Sequence, residues 1–466
     1  MRIAENYFRQ IQNDYSSFPG QFIISLQSAD APAGWVQRKI GDWFLASHGL
    51  PLHDICDREN NLIGICLGFP HGQDAPWAGI DEFYLRTQGK WLLILEEKTI
   101  YHDPSGSLSV VYSDRAIASS PTLLQPEPDW DIERISAVQF PEVDSWFPFG
   151  LTSRRGIRRL LPNHCFDLQT WKVKRHWPTS STDLSRENDP LPLVENIVTN
   201  LRKAINDVPH PLTLSLTAGR DSRMLLACSR DRAIDIDFYT FDYGRSSVDV
   251  EVARRLAKRL HLSHRLLPVR TASNDELVAW LYRTGHSVSG PIWQIHKTLD
   301  AYYPQNVLLP GMAGEVGRAY YWRSKDQPTR PLEVDDVLSR CKLPRLEMFR
   351  AEARNYLDGL RHLDTFVVLD LIYIEQRLGC WASPSYLGNI RSKYEFTPFS
   401  QRRIFTDMMK LPTEYRRHQK LAKDVCRMAW PGLETIPFNE CSGGRWLLQR
   451  LKSRAKQTIK YLIGKY

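Results

Sequence analysis

The chain has 466 residues, 42% of them hydrophobic and 24% charged, and a formal net charge of +8. This composition predicts a soluble globular protein with room for two domains. The sequence contains no run of 18 apolar residues, and its start lacks the hydrophobic segment of a signal peptide, so we expect no membrane span and a cytoplasmic location.

The cysteines and histidines argue against a metal or disulfide framework. Eight cysteines are scattered without a C-x-x-C pair, and thirteen histidines form no H-E-x-x-H motif. Reduced, mostly buried thiols are therefore expected, and a structural metal is not.

Residues 1–178 contain short apolar runs separated by turn residues. The runs at 21–26 and 91–95 and the alternating segment 107–112 are typical of strands. This region predicts a β-rich domain with a sandwich architecture. The polar, turn-forming segment 179–192 follows and predicts a linker.

The chain then alternates helical and extended patterns. Residues 193–205 form an amphipathic helical pattern, and 212–216 and 234–241 are typical of strands. Residues 249–262 and 263–269 continue with a helix and a strand. This alternation predicts an α/β domain with a parallel sheet that binds ligands at the carboxyl ends of its strands.

The polar turn 217–222 after the first of these strands predicts an anion site. Small residues let backbone N–H groups approach phosphate oxygens, and a helix is expected to start with Ser222 as its N-cap. Asp221 would repel phosphate unless a cation lay between them, which indicates a Mg²⁺ ligand in a nucleotide site. No Gly-x-x-x-x-Gly-Lys-Ser/Thr P-loop occurs in the chain.

This turn, Thr-Ala-Gly-Arg-Asp-Ser, resembles the Ser-Gly-Gly-x-Asp-Ser pyrophosphate loop of asparagine synthetases and related ATP pyrophosphatases. The resemblance implies a PP-loop domain of the adenine nucleotide alpha hydrolase-like kind, with ATP and Mg²⁺ as cofactors. The residues that it places around the nucleotide are Ser215, Thr217, Ala218, Gly219, Arg220, Asp221, Ser222, Gly311 and Gly314.

Three segments of the first half resemble the glutaminase domain of the same family: 99–106, 116–124 and 156–164. They imply an α+β, Ntn-hydrolase-like sandwich. That domain uses an N-terminal cysteine as its nucleophile, whereas here Met1 precedes Arg2 and the first cysteine is Cys56. The resemblance therefore implies a degenerate domain that does not hydrolyse glutamine.

The segment 306–318 resembles the family's strand and Gly-rich turn that carries an Asp-Glu pair. Met312 replaces the leading acid of that motif, and Glu315 falls on its Asp. The resemblance implies that Glu315 and Asp221 share one Mg²⁺ and clamp the leaving pyrophosphate.

Later segments give weaker candidates. Residues 363–378 predict a buried helix on which Glu375 and Arg377 form an ion pair or reach the substrate. Glu395 lies one position from a family glutamate near the acyl-adenylate, and Lys420 matches a lysine that binds phosphate. A further family lysine is missing around residue 439, and Arg220 or Arg318 could replace its charge.

The C-terminal residues 442–466 contain seven Lys or Arg and no acid, with apolar residues at helical spacing. They predict a basic amphipathic helix packed on the body, with contact to a membrane surface, nucleic acid or an acidic partner as the alternative.

The resemblance implies a glutaminase-like domain at 1–178 and an ATP pyrophosphatase domain at 193–441, while the residue pattern predicts the linker at 179–192 and the tail at 442–466. It implies a ligase that adenylates a small-molecule or peptide carboxylate, releases pyrophosphate and joins the acyl group to an amine or ammonia. An intramolecular cyclase, as among β-lactam synthetases and lasso peptide cyclases, stays open, as do a non-catalytic nucleotide-binding scaffold and a homodimer. A nucleic-acid enzyme is disfavoured by the Ntn-like first half.

Overall fold

A computed structural model describes residues 18–27, 33–72, 75–96, 98–244, 247–390 and 394–439. The tail helix predicted at 442–466 lies outside these residues. Within them, no helix is both long enough and apolar enough to cross a bilayer.

The first half of the chain forms two six-stranded antiparallel sheets. Their strands, β1 to β12 in chain order, are Gln21–Ser25, Val36–Ile40, Trp43–His48, Leu52–Cys56, Leu62–His71, Gln88–Leu95, Thr99–His102, Val111–Tyr112, Ala116–Ala118, Arg158–Arg159, His164–Asp167 and Lys172–Arg175. One sheet has the order β10-β8-β9-β1-β3-β2, and the other has the order β12-β11-β7-β6-β5-β4.

The two sheets share a core, as predicted for a sandwich. Phe22 and Leu45 of the first sheet pack in one cluster with Leu67, Leu92 and Phe166 of the second. Alternate residues of a strand point to the same face, so each strand supplies every second side chain to this core. The antiparallel sandwich is confirmed, whereas its Ntn-like character stays a prediction.

The predicted strand at 107–112 is wrong over most of its length, because only Val111–Tyr112 is extended. The side chain of Asp103 accepts hydrogen bonds from the backbone N–H groups of Ser105, Ser107 and Leu108. These bonds hold the segment in a turn instead of a sheet.

The second half contains the predicted parallel sheet. Its strands are Leu212–Ser215 (β13), Ile236–Asp242 (β14), His264–Pro268 (β15) and Val307–Leu309 (β16), in the order β15-β14-β13-β16. β13 lies between β14 and β16, and both pairings are parallel. The carboxyl ends of β13 and β16 therefore lie side by side at one edge of the sheet.

Helices pack around the sheets. The α-helices, α1 to α15 in chain order, are Ile80–Arg86, Pro121–Leu124, Ile132–Ala137, Leu191–Asn206, Arg220–Cys228, Val248–Leu260, Asn274–Arg283, Ile292–Tyr302, Val334–Arg340, Glu347–Asp358, Thr365–Ile372, Ser383–Tyr386, Arg402–Lys410, Thr413–Arg417 and Leu421–Ala429. Short 3₁₀ helices lie at Arg230–Asp235, Gly314–Arg318 and Leu433–Thr435.

The buried helix predicted at 363–378 exists, but its second half has a different form. After α11 ends at Ile372, the chain continues as a π-helix over Tyr373–Ala382. Segments of π-helix are rare and occur often at functional sites.

The predicted linker does not separate two independent cores. Phe147 and Trp177, which precede it, belong to the same buried cluster as Ile197 and Leu214 of the second half. The division of the chain at 179–192 therefore stays a prediction.

Candidate functional site

The turn after β13 is held by hydrogen bonds of its own residues and of helix α6, and two of its backbone N–H groups donate to side chains. The Thr217 hydroxyl oxygen accepts from the N–H of Gly219 at 3.0 Å and lies 2.6 Å from the Ser222 hydroxyl. The N–H of Ala218 donates to Asp249 Oδ1 at 2.9 Å, so the start of α6 fixes the turn from the neighbouring crossover. These bonds hold the turn rigidly in front of the helix that follows it.

That helix, α5, begins at Arg220 with Gly219 as its N-cap, so the predicted N-cap role of Ser222 is wrong. Gly219 is extended at this point, and Ser222 already lies within the first turn. The helix N-terminus thus starts directly after the small residues. Its first N–H groups have no partner within the helix and can face an anion.

Asp221 and Glu315 meet at the adjacent ends of β13 and β16. One guanidinium nitrogen of Arg318 lies 3.0 Å from Asp221 Oδ2 and 3.1 Å from Glu315 Oε1. The side chains of Asp221 and Glu315 are only 14% and 17% exposed. The pair predicted from two separate motifs is therefore brought together, with a cation of the chain between its members.

Two glycines allow the turn after β16 to lie against Asp221. A Cβ atom on Gly314 would be 2.7 Å from Asp221 Oδ1, and one on Gly311 would be 3.3 Å from the backbone nitrogen of Ser222. Any larger residue at Gly314 would push against the carboxylate. The two glycines therefore permit the close approach of the two carboxylate-bearing segments.

The electrostatics of the pair favour a bound cation. Burial raises the pKa of Asp221 to about 7, and the Glu315 carboxylate adds to this rise while Arg318 opposes it. Asp221 Oδ1 is buried and has no hydrogen-bond partner among the described residues. A cation at this oxygen would reduce the repulsion between the two carboxylates and would give Oδ1 a partner.

This donor set fits Mg²⁺ bound together with a nucleotide. Mg²⁺ is commonly held by one or two carboxylates and completed by phosphate oxygens and water. The described part of the chain contains no group of three or more His, Cys, Asp or Glu that could hold a metal alone. Two carboxylates beside a helix N-terminus would therefore suit a metal–phosphate complex better than a stand-alone metal site.

Tyr373 is a member of the cluster that sequence analysis missed. Its hydroxyl donates to Glu315 Oε2 at 2.6 Å. Burial, with a contribution from Glu315, raises the pKa of Tyr373 well above its ordinary value, so the hydroxyl stays protonated. It is the first residue of the π-helix, a feature that hydrophobic periodicity does not reveal.

Asn439 is a second missed residue, and it lies where the resemblance leads one to expect a lysine. Its backbone N–H donates to the carbonyl of Ala218 at 2.8 Å, and its Oδ1 lies 4.0 Å from the position of a Cβ on Gly219. The neighbouring Phe438 ring contacts the guanidinium groups of Arg220 and Arg223. The segment 438–439 therefore lies against the turn at Ala218 and against two arginines of α5.

The structure does not bring the two weaker candidates into this cluster. The Glu395 side chain is buried, 3.6 Å from Lys90 Nζ and hydrogen-bonded to Asn389. Its backbone pairs with Leu308 at the edge of the sheet. Lys420 is exposed just before α15, and within the described residues its ammonium makes no ion pair.

Of the two alternatives predicted for Glu375 and Arg377, the ion pair between them is wrong, and contact with a substrate stays a prediction. Glu375 is fully buried and binds Arg175 with two bonds of 2.5 and 2.7 Å. Arg377 stacks on Trp381, with its guanidinium carbon 3.6 Å from the ring centre. In the π-helix the two side chains point to different neighbours, so Glu375 has a structural partner from the first half of the chain.

No protein-family model matches the sequence, and neither does any curated protein. Among solved structures, the chain is similar to the NH3-dependent NAD synthetase of Campylobacter jejuni, with 11% identity, a TM-score of 0.21 and coverage of 38% of this chain and 84% of that one. It is also similar to the NMN synthetase of Francisella tularensis, with 11% identity, a TM-score of 0.20 and coverage of 37% and 72%. The glutamine-dependent NAD+ synthetase of Acinetobacter baumannii has 16% identity, a TM-score of 0.18 and coverage of 34% and 30%. These values are too low to assign this chain a fold or an activity.

Proposed function

We propose that this protein is an ATP-dependent ligase that adenylates a carboxylate, releases pyrophosphate and forms an amide with an amine or ammonia. The observation that carries the proposal is the convergence of Asp221 and Glu315 on a single nitrogen of Arg318. Both carboxylates lie at the carboxyl ends of neighbouring parallel strands, where open α/β sheets bind their ligands. The resemblance of residues 217–222 and 306–318 to asparagine synthetases supports the same reading.

Each residue of the cluster has a role in this reaction. Asp221 and Glu315 would hold Mg²⁺, which neutralises the charge that develops on the leaving pyrophosphate. The helix N-terminus at Arg220 binds a phosphate group through its N–H groups. Tyr373 orients the Glu315 carboxylate, and Arg318 supplies the positive charge that the missing family lysine would have given.

The amine does not come from glutamine hydrolysis in the first half of the chain. The cysteines described there, Cys56, Cys66 and Cys165, lie within strands β4, β5 and β11, so none has the N-terminal amine that this type of nucleophile uses as its base. Burial raises the pKa of the Cys66 and Cys165 thiols, which keeps both protonated and poorly nucleophilic. We therefore propose that the sandwich is a retained structural unit of the glutaminase type and that a free amine or ammonia is the acceptor.

The test is pyrophosphate release from Mg²⁺-ATP with a panel of aliphatic, aromatic and amino-acid carboxylates. We expect Asp221→Ala to lower the rate by about a thousandfold or more, because the metal loses a ligand at the developing charge. Asp231→Ala is the matched control, since this exposed aspartate lies in the 3₁₀ helix beyond the far end of α5. A full rate in Asp221→Ala would remove Asp221 from the mechanism.

A second function is a nucleotide-binding protein without ligase chemistry. The observation that favours it is Arg318, whose guanidinium already satisfies one oxygen of each carboxylate where a metal would bind. ATP binding by the purified chain, without ATP–pyrophosphate exchange for any carboxylate, would support this function. Exchange with any one carboxylate would support the ligase.

A further inference from the structure

A cavity of about 540 Å³ lies beside the carboxylate cluster. Its walls come from both halves of the chain and include aromatic rings and cationic side chains. The residues that matter here are Asp144, Trp146, Tyr320, Tyr321, Lys342 and Arg377. This volume is within the range of pockets that enclose small organic molecules.

The cavity is connected to the cluster through aromatic contacts. Tyr320 lines the cavity, and its ring lies 5.2 Å from that of Tyr373, which donates to Glu315. The Arg318 guanidinium lies 5.8 Å from the centre of the Tyr320 ring. The side chains of Tyr320, Tyr373 and Arg318 therefore lie between a molecule in the cavity and the two carboxylates of the cluster.

The π-helix supplies a residue to each site. Tyr373 and Arg377 are four residues apart, so they lie on neighbouring positions of the same face. Tyr373 contacts Glu315, whereas Arg377 lines the cavity. One rigid element thus fixes the distance between the cluster and the cavity.

Two arginines line the cavity, and they differ in whether a carboxylate of the chain pairs with them. Arg340 is neutralised by Asp326 at 2.5 Å and by Asp336 at 3.3 Å. Arg377 stacks on Trp381, and no carboxylate of the described residues lies within ion-pair distance of it. Asp144 accepts a hydrogen bond from Trp381 Nε1 at 3.3 Å. Arg377 is therefore held in position by a ring while its N–H groups remain suited to an external acid group.

We propose that this cavity binds a small organic acid with an aromatic or apolar body, whose acid group pairs with Arg377. The ring walls favour the body, and the guanidinium favours a planar carboxylate. The role of this molecule as one of the two organic substrates rests on the proposed ligase function. The acid group that pairs with Arg377 serves for recognition and is not the carboxylate that is adenylated. Tyr320, Tyr373 and Arg318 lie between it and the two acidic metal ligands.

The experiment compares phenylacetate with its uncharged analogue phenylacetamide by isothermal titration calorimetry on the full chain. We expect phenylacetate to bind at least tenfold more tightly, and Arg377→Met to abolish this preference. Arg361→Met is the matched control, because the Arg361 side chain is 78% exposed and does not line the cavity. Arg377→Lys retains the charge and should keep part of the preference, which separates loss of the charge from loss of the fold.

The outcomes distinguish this proposal from the ligase function. Equal binding of the two probes to the unmodified chain, or a preference that survives in Arg377→Met, would overturn the site. Asp221→Asn should keep the preference for phenylacetate, since Asp221 does not line the cavity. A preserved preference in a chain that never releases pyrophosphate would keep the acid site and remove only its role as a substrate site.

Discussion

Asp103 in the sandwich and Asp221 at the parallel sheet are both buried aspartates that follow a strand, but their surroundings are opposite. The Asp103 side chain accepts from three backbone N–H groups and from the hydroxyls of Ser105, Ser107 and Ser400. Asp221 pairs with Arg318, and its second oxygen has no partner among the described residues. Both oxygens of Asp103 are thus bonded within the fold, whereas only one oxygen of Asp221 is.

Glu375 and Glu315 differ in the same way as the two aspartates. Glu375 is surrounded by Arg175, Tyr356 and Asn163, all within 2.9 Å. Glu315 shares its arginine with a second carboxylate. Buried acids whose oxygens all have hydrogen-bond partners belong to the fold. Two acids that repel each other are typical of a binding site, because a bound cation removes the free-energy cost of their repulsion.

The largest expected effect is on Asp103. Asp103→Ala would leave the N–H groups of Ser105, Ser107 and Leu108 buried without an acceptor, so we expect the free energy of unfolding to fall by about 4 kcal/mol. Urea denaturation followed by circular dichroism would measure this change. Asp114→Ala, at an exposed position of the adjoining turn, should cost less than about 0.5 kcal/mol. Equal stability of the two variants would show that Asp103 is not the saturated, structural acid described above.

An effect of opposite sign, no larger than that of Asp103→Ala, is expected for Asp221→Asn. The pKa of Asp221 is raised from 3.8 to about 7, so between these pH values the unfolded chain has released a proton that the folded chain keeps. The stability of the unmodified protein therefore falls as the pH rises from about 4 to about 7, and is then constant with respect to this group. Asparagine mimics the neutral acid and removes this penalty.

At about 1.4 kcal/mol per pKa unit, we expect Asp221→Asn to be more stable than the unmodified chain by up to about 4 kcal/mol at pH 8 and to equal it at pH 4. Thermal unfolding at the two pH values in the presence of EDTA would measure the difference. Asp231→Asn should change neither value. A variant that is less stable at pH 8 would mean that Arg318 already satisfies Asp221, and the site would then resemble the structural acids.

The sequence predicts this site better than it predicts the acids that only stabilise the fold. The turn 217–222 and the Gly-rich turn before Glu315 are local patterns, and parallel strand order brings their ends together. Tyr373 and Asn439 reach the site from distant segments, so no local pattern reveals them. The bond between Glu375 and Arg175 likewise depends on packing between the two halves, which periodicity alone does not encode.

The smallest expected effects come from two tyrosines. Each donates a hydrogen bond to a glutamate, one at the candidate site and one within the fold. Tyr373 donates to Glu315 at 2.6 Å, and Tyr356 donates to Glu375 at 2.7 Å. Each phenylalanine variant removes one hydrogen bond to a carboxylate, worth about 1.5 kcal/mol, and retains the ring. If Glu315 works on the pyrophosphate, Tyr373→Phe should lower kcat about tenfold and leave the KM for ATP nearly unchanged, because the turn at 217–222 is untouched.

Tyr356→Phe should lower the free energy of unfolding by a similar 1.5 kcal/mol and leave kcat unaltered. If both variants lowered stability alike and neither changed kcat, Glu315 would belong with Glu375 among the acids that only hold the fold together.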